Sequence, residues 1–190
     1  QVAEVRAFVG RERERALFAD ALLAGSAIRV ILVVGPGGIG KSALLRAFER
    51  DARAAGHTTV HLDARDLAAG PGVRTLFDHA PKPPRRGLRV VMLDTAEAVD
   101  DERALVDVVM RGCGPRDRVI VASRNPPGVA WRTLASWGRA ARALELAPLT
   151  DAQSRAYLRA RRVGRPAWGD TLALARGYPL LLALACDAGG

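Results

Sequence analysis

Eight consecutive residues, Gly35-Pro36-Gly37-Gly38-Ile39-Gly40-Lys41-Ser42, satisfy the pattern G-x-x-x-x-G-K-[ST] in full. Glycines at these positions let the backbone wrap a polyphosphate and aim successive N–H groups at its oxygens. A helix opening near Lys41 adds the positive end of its dipole to the same place. Lys41 supplies a point charge for the β- and γ-phosphates, and Ser42 supplies a hydroxyl ligand for Mg²⁺. Residues 35 to 43, with Ala43 the next residue of that helix, are therefore the expected nucleoside-triphosphate site. A bare turn that happens to contain Gly-Lys-Ser is the competing explanation, and an apolar run before it with a helical pattern after it argues against that.

A phosphate loop needs an acid on a neighbouring strand to hold the metal. Arg89-Val90-Val91-Met92-Leu93-Asp94 is an apolar run ending in a carboxylate, so Asp94 is the second expected Mg²⁺ ligand, acting through water. Its alternative is an ordinary turn residue. Glu97, three residues on, is the candidate for orienting or activating the attacking water, or else a solvated turn residue. Val119-Ile120-Val121-Ala122-Ser123-Arg124 ends in a polar pair where ligands sit in open α/β sheets. Arg124 could touch a γ-phosphate there; otherwise it is a surface arginine. Asp100 and Asp101 read as a helix cap and first turn. His57, His61 and His79 have no ligand spacing.

Positioning these groups requires strands alternating with helices. Helical patterning spans residues 11–24, followed by the nearly unbroken β-branched run 28–34 of a strand buried on both faces. A helix over 41–55, a strand over 58–63, a strand over 88–93, a helix over 101–111 and a strand over 118–122 follow. Such alternation predicts an α/β fold, a P-loop NTPase with a mainly parallel sheet flanked by helices. The proline-rich stretch 81–87 must be a loop feeding the third of these strands. Trp131 and Trp137 are expected to pack the helix after the fourth strand. After Asn125-Pro126-Pro127-Gly128 a short strand near 143–146 is expected, then helices over 151–162, 168–176 and 180–187. Pro148 and the cap Thr150-Asp151 place a boundary there: a nucleotide-binding domain over 1–147 and a small helical lid subdomain over 148–190.

Composition is that of an ordinary globular chain: 190 residues, 49% hydrophobic, 26% charged. Twenty-nine basic against 20 acidic residues give a net charge of +9. Only Lys41 and Lys82 are lysines, and the arginine clusters at 85–86 and 159–162 are short, so they read as solvated helix faces; nucleic acid stays a weakly supported partner. Cys113 and Cys186 lie far apart in no metal spacing, which excludes a disulfide scaffold or zinc site and suits a reducing, cytoplasmic compartment. No signal peptide opens the chain, and Arg176 and Pro179 interrupt the apolar stretch 171–188, so a buried hairpin is expected there and no membrane span. The first residue is Gln1, which suggests a piece of something longer.

Several further motifs occur in one order. Phe8-Val9-Gly10-Arg11-Glu12 resembles the "hhGRE" element of STAND-class signal-transduction ATPases, the group containing NB-ARC proteins. Val119 to Arg124 resembles that group's "hhhhTSR" strand, with Ala122 in the Thr place. Leu146-Ala147-Pro148-Leu149 is similar to its "L-x-P-L" entry into a helical subdomain, and Gly177-Tyr178-Pro179-Leu180 to its "G-x-P-L" motif. The resemblance implies that Val9, Gly10 and Arg11 lie near an adenine, that Pro179 closes over the base or sugar, and that Arg124 senses phosphate. Thr95 departs from the pattern, since many members have a second acid directly after the metal-binding Asp.

The expected activity is an ATP- or ADP-binding molecular switch with slow Mg²⁺-dependent hydrolysis to ADP and phosphate, embedded in a larger signalling protein. Protein partners or flanking domains and a nucleotide-dependent oligomer are implied with it. Two other readings stay open: an AAA+-like DNA-associated ATPase, and an ADP-loaded scaffold that never cycles. Guanine specificity is disfavoured because no Asn/Thr-Lys-x-Asp sequence occurs.

Overall fold

The strands are β1 (Val30–Val34), β2 (Thr58–Asp63), β3 (Arg89–Asp94), β4 (Asp117–Ser123) and β5 (Ala141–Glu145), of which β1, β3 and β4 are built on apolar runs. They belong to a computed structural model that describes residues 8–69, 72, 76–77, 81–82, 86–133 and 140–188. The strands lie in the order β2-β3-β4-β1-β5, and every neighbouring pair is parallel. Parallel pairing demands crossovers. These are carried by α2 (Lys41–Ala54), α3 (Ala64–Ala69), α4 (Glu102–Gly112) and α5 (Val129–Thr133), while α1 (Glu12–Leu22) precedes the sheet. Three further helices follow β5: α6 (Asp151–Ala160), α7 (Trp168–Ala175) and α8 (Pro179–Ala188).

Alternation along each strand feeds two separate cores, which is why the strands read as continuous apolar runs. On one face Val30, Leu32, Val91, Leu93, Val119 and Val121 meet Leu67, Leu105, Val109 and Trp131. On the other Ile31, Val33, Val90, Met92, Ile120 and Ala122 meet Phe18, Leu44, Leu45 and Phe48. The rings of Phe18 and Phe48 stack with centroids 4.2 Å apart, tying α1 to α2. Leu149, Leu158, Trp168, Ala175 and Leu182 form a third cluster under the last three helices.

At the edge of the sheet opposite the glycine loop, Arg89 and Asp117 form a bidentate pair, Nε–Oδ1 2.8 Å and Nη2–Oδ2 2.9 Å, with both residues buried. Asp117 also accepts from the Gly114 amide at 2.8 Å. Burial pushes the nearby Cys113 thiol up to about 11, as befits a small core hydrophobe.

Expected boundaries shift for local reasons. Helix α1 starts at Glu12 because Arg11, expected inside it, is left-handed at φ 68. Helix α6 ends at Ala160, two residues short of expectation, before the left-handed Arg162. Proline is pre-organised for a first helical position, so α8 opens at Pro179 rather than at Leu180. Strand β5 lies two residues earlier than expected at its start, and α3 is an element the sequence reading does not contain. Asp101 caps α4 by accepting from the Ala104 amide, and Thr150 forms a full capping box with Gln153 on α6. His57 Nδ1 accepts from the Leu88 amide at 3.2 Å, a structural role. His79, Trp137 and residues 83–85 of the proline-rich stretch lie outside the described residues. Among the described residues no helix is long and apolar enough to cross a membrane.

Gly177 joins α7 to α8 at φ +77, and its carbonyl accepts from Leu149 N at 2.8 Å. A Cβ there would stand 2.2 Å from Leu149 O. Gly177→Ala is therefore expected to cost more than about 1 kcal/mol in the packing of the last three helices. Amide exchange should then quicken across α6–α8 and stay slow in β1, β3 and β4; unchanged protection in those helices would refute this.

Candidate functional site

The glycine loop joins β1 to α2, and its shape comes from left-handed Gly38 (φ 77) and Gly40 (φ 98). No side chain caps α2, so the first amides of that helix are directed at the loop's interior without a side-chain capping partner. Lys41 folds back along the loop, its Nζ donating to Gly35 O at 2.6 Å and Pro36 O at 3.1 Å. Desolvation holds the Lys41 amine below its ordinary pKa; Glu97 and Asp94 act against that shift and Arg124 adds to it.

Parallel pairing of β1 with β4, and of β4 with β3, brings three strand ends to the same edge. Asp94 ends β3, and the next residue, Thr95, is left-handed at φ 57. That conformation turns the Thr95 amide back onto Asp94 Oδ1 at 2.8 Å and fixes the carboxylate. A β-branched residue adopts this region only under constraint, and such strain collects at functional sites. The short 3-10 turn Ala96–Ala98 then presents Glu97. Glu97 Oε1 lies 3.0 Å from Arg124 Nε, and Glu97 Oε2 accepts from the Arg124 amide at 3.0 Å. A Cβ placed on Gly37 would lie 3.7 Å from Arg124 Cζ, so the guanidinium rests against the loop.

The start of α8 packs over these groups. Leu180 N donates to Gly38 O at 3.2 Å, and Pro179 sits 3.5 Å from where a Cβ on Gly40 would be. On the other flank the buried Arg11 donates from Nη2 to Ile39 O at 3.0 Å and pairs through Nη1 with Glu14. Together they enclose a cavity of about 460 Å³. Val9, Arg11, the loop residues 37–43, Asp94, Glu97, Arg124 and Pro179 all line it.

Three expected residues do not line it. Gly10 instead packs beneath the lid, where a Cβ would meet Gln153 Nε2 at 2.8 Å. Gly35 and Pro36 face Lys41 with their carbonyls. Residues missed from the sequence include Leu149, Tyr157, Leu180 and the ion-paired Arg161 and Asp187. Tyr157 on α6 and Arg161 just past its end follow Gln153 at four-residue steps, a helical signal legible only once that face is known to look inward.

The donor set fits a magnesium triphosphate: backbone amides, one lysine and one arginine for the anion, a hydroxyl and a carboxylate for a hard cation. Among the described residues no group of three or more His, Cys, Asp or Glu side chains could hold a metal by themselves, so phosphate and water oxygens would have to complete its shell.

A family model described as an AAA ATPase domain matches residues 7–174. No curated protein matches. Among solved structures, the AMPPCP-bound DnaA from Aquifex aeolicus is similar at TM-score 0.62 and 19% identity, over 93% of this chain and 61% of that one. The FIGL-1 AAA domain in complex with ADP gives TM-score 0.67 and 18% identity, over 95% of this chain and 70% of that one. A single-substitution variant of RuvB from Thermotoga maritima gives 0.62 and 15%, over 94% and 61%. The chain thus spans about three fifths of the DnaA and RuvB chains, and these likenesses show a shared fold.

Proposed function

This chain belongs to the AAA ATPase domain family, and from that premise we propose that it is an ATP-dependent molecular switch of the STAND kind, working inside a larger regulatory protein. The observation that carries the reading is the placement of Arg124, with its guanidinium against Gly37 of the loop and its partner Glu97 beside it. A cation there distinguishes three phosphates from two. The lid's direct hydrogen bond from Leu180 to Gly38 gives that difference a moving part to bias.

Within this reading the amides of 37–42 hold the phosphates and Lys41 neutralises them. Ser42 and Asp94 would hold Mg²⁺, which supplies charge neutralisation when bound. Val9 and Arg11 flank the nucleoside end, Arg11 acting by bracing Ile39, while Pro179 covers it. Adenine is the assigned base, in keeping with the ADP and AMPPCP named for the similar FIGL-1 and DnaA structures. Hydrolysis is slow, because Thr95 stands where a second acid would be and the Glu97 carboxylate is ion-paired with Arg124. The working units are 1–147 and 148–190, and flanking domains, an oligomer and a cytoplasmic setting follow from the same proposal.

Arg124→Ala is expected to weaken ATP about tenfold and leave ADP unchanged, as loss of one charge-assisted contact would. Calorimetric titration checks it, and retained preference for ATP refutes the sensor. A DNA-associated ATPase is the second reading, favoured by the similarity to a DnaA bound to single-stranded DNA. Turnover stimulated several-fold by single-stranded DNA would select it. ADP that co-purifies and never exchanges would instead select the static scaffold.

A further inference from the structure

We propose that Glu97 is a built-in competitor for the third phosphate, its carboxylate holding Arg124 where a phosphate oxygen would, and that this competition sets how strongly the site prefers ATP to ADP. The inference rests on the reading of Arg124 as a triphosphate sensor and gives Glu97 a new task within it.

The geometry is that of an anion already bound. One carboxylate oxygen takes the Nε of Arg124 at 3.0 Å, and the other takes its backbone amide at 3.0 Å. The role that its place in the sequence suggests for Glu97, water orientation, falls to a carboxylate already tied to Arg124: each oxygen accepts one donor and keeps one further acceptor site. The two partners differ in freedom. The Glu97 side chain is 17% exposed and anchored to the backbone, whereas the Arg124 side chain is 64% exposed. The guanidinium is therefore the half that can change partners, and it has little distance to cover. A Cβ on Gly37 would lie 3.8 Å from Arg124 Nε and 3.9 Å from its Nη1. Glu97 holds the guanidinium through Nε, and a phosphate gripped side-on by Nε and a neighbouring Nη needs that same donor, so phosphate and carboxylate compete for it.

A half-exposed pair of this kind holds its partners by about 1 kcal/mol or less, which corresponds to a factor of about five in affinity. Removing the carboxylate's charge should return that factor to the triphosphate. The experiment titrates the protein with AMPPCP, which avoids hydrolysis, and with ADP. Glu97→Gln keeps an oxygen for the Arg124 amide and drops the charge. It is expected to bind AMPPCP about fivefold more tightly with ADP unchanged, and Glu97→Ala should do the same. In Glu97→Gln combined with Arg124→Ala the gain should vanish. Unchanged or weaker AMPPCP binding in both Glu97 variants, each showing a wild-type unfolding transition, overturns the inference. So does an equal gain for ADP, which would mean a general rise in positive potential around Lys41. If Arg124→Ala alone keeps its preference for ATP, the sensor reading itself has failed. If that preference is lost and the Glu97 gain is absent, only the competitor role has failed.

Discussion

Lys41→Ala is expected to weaken both ATP and ADP by roughly 100-fold, a loss that converts to about 2.7 kcal/mol. The residue is mostly buried, at 8% exposure, and the amine's present partners are the carbonyls Gly35 O and Pro36 O. Desolvation already presses on its charge, so a polyphosphate is a far better partner than two neutral oxygens. A charged hydrogen bond contributes about 1.5–3 kcal/mol, which covers a loss of that size. Both nucleotides should suffer, because the lysine reaches phosphates common to them, in contrast with the ATP-selective loss expected for Arg124→Ala. Titration calorimetry on the two variants separates the roles. Unchanged affinity for both nucleotides in Lys41→Ala would place the phosphates somewhere else.

The largest effect on stability is expected at the far side of the sheet. Asp117→Ala strands the Arg89 guanidinium, whose residue is 8% exposed, and removes the acceptor of the Gly114 amide. Breaking one side of a buried pair typically costs about 3–5 kcal/mol, enough to unfold a large share of a marginal domain. Urea unfolding should show a loss of unfolding free energy of that size, read from a lowered midpoint. Replacing both partners, Arg89→Met with Asp117→Leu, should recover most of the loss, because the penalty lies in the orphaned charge. Recovery absent in the double variant would mean that the pair contributes through its hydrogen bonds to the loop instead.

Much of this fold is written locally. Strands β1, β3 and β4 are legible because both faces of each are covered, so their residues form unbroken aliphatic runs. The loop 35–42 is legible because its chemistry allows few other spellings. What depends on distant partners is not legible. The motif around Gly10 points to a base, yet Gly10 meets Gln153, and Glu12 is bonded to the same side chain across 141 positions. Only the folding back of the lid creates that contact. The pairing of Glu97 with Arg124 joins two residues 27 positions apart through the β3–β4 register. Each stands out on its own, and nothing in either segment announces the other. Thr95 is conspicuous for the acid it lacks, while its left-handed backbone, which orients Asp94, leaves no mark in the sequence.

The seam between β1 and β5 carries a mechanical consequence. The chain runs from β5 into the lid at Leu146, whose amide is bonded to Val34 O at 2.8 Å and whose side chain abuts Gly35. A tug on α6–α8 along that strand therefore loads the rungs between Val30–Val34 and Ala141–Glu145 in shear, together rather than one after another. Force passing from those helices into β5 is delivered at Leu146, beside the first glycine of the loop.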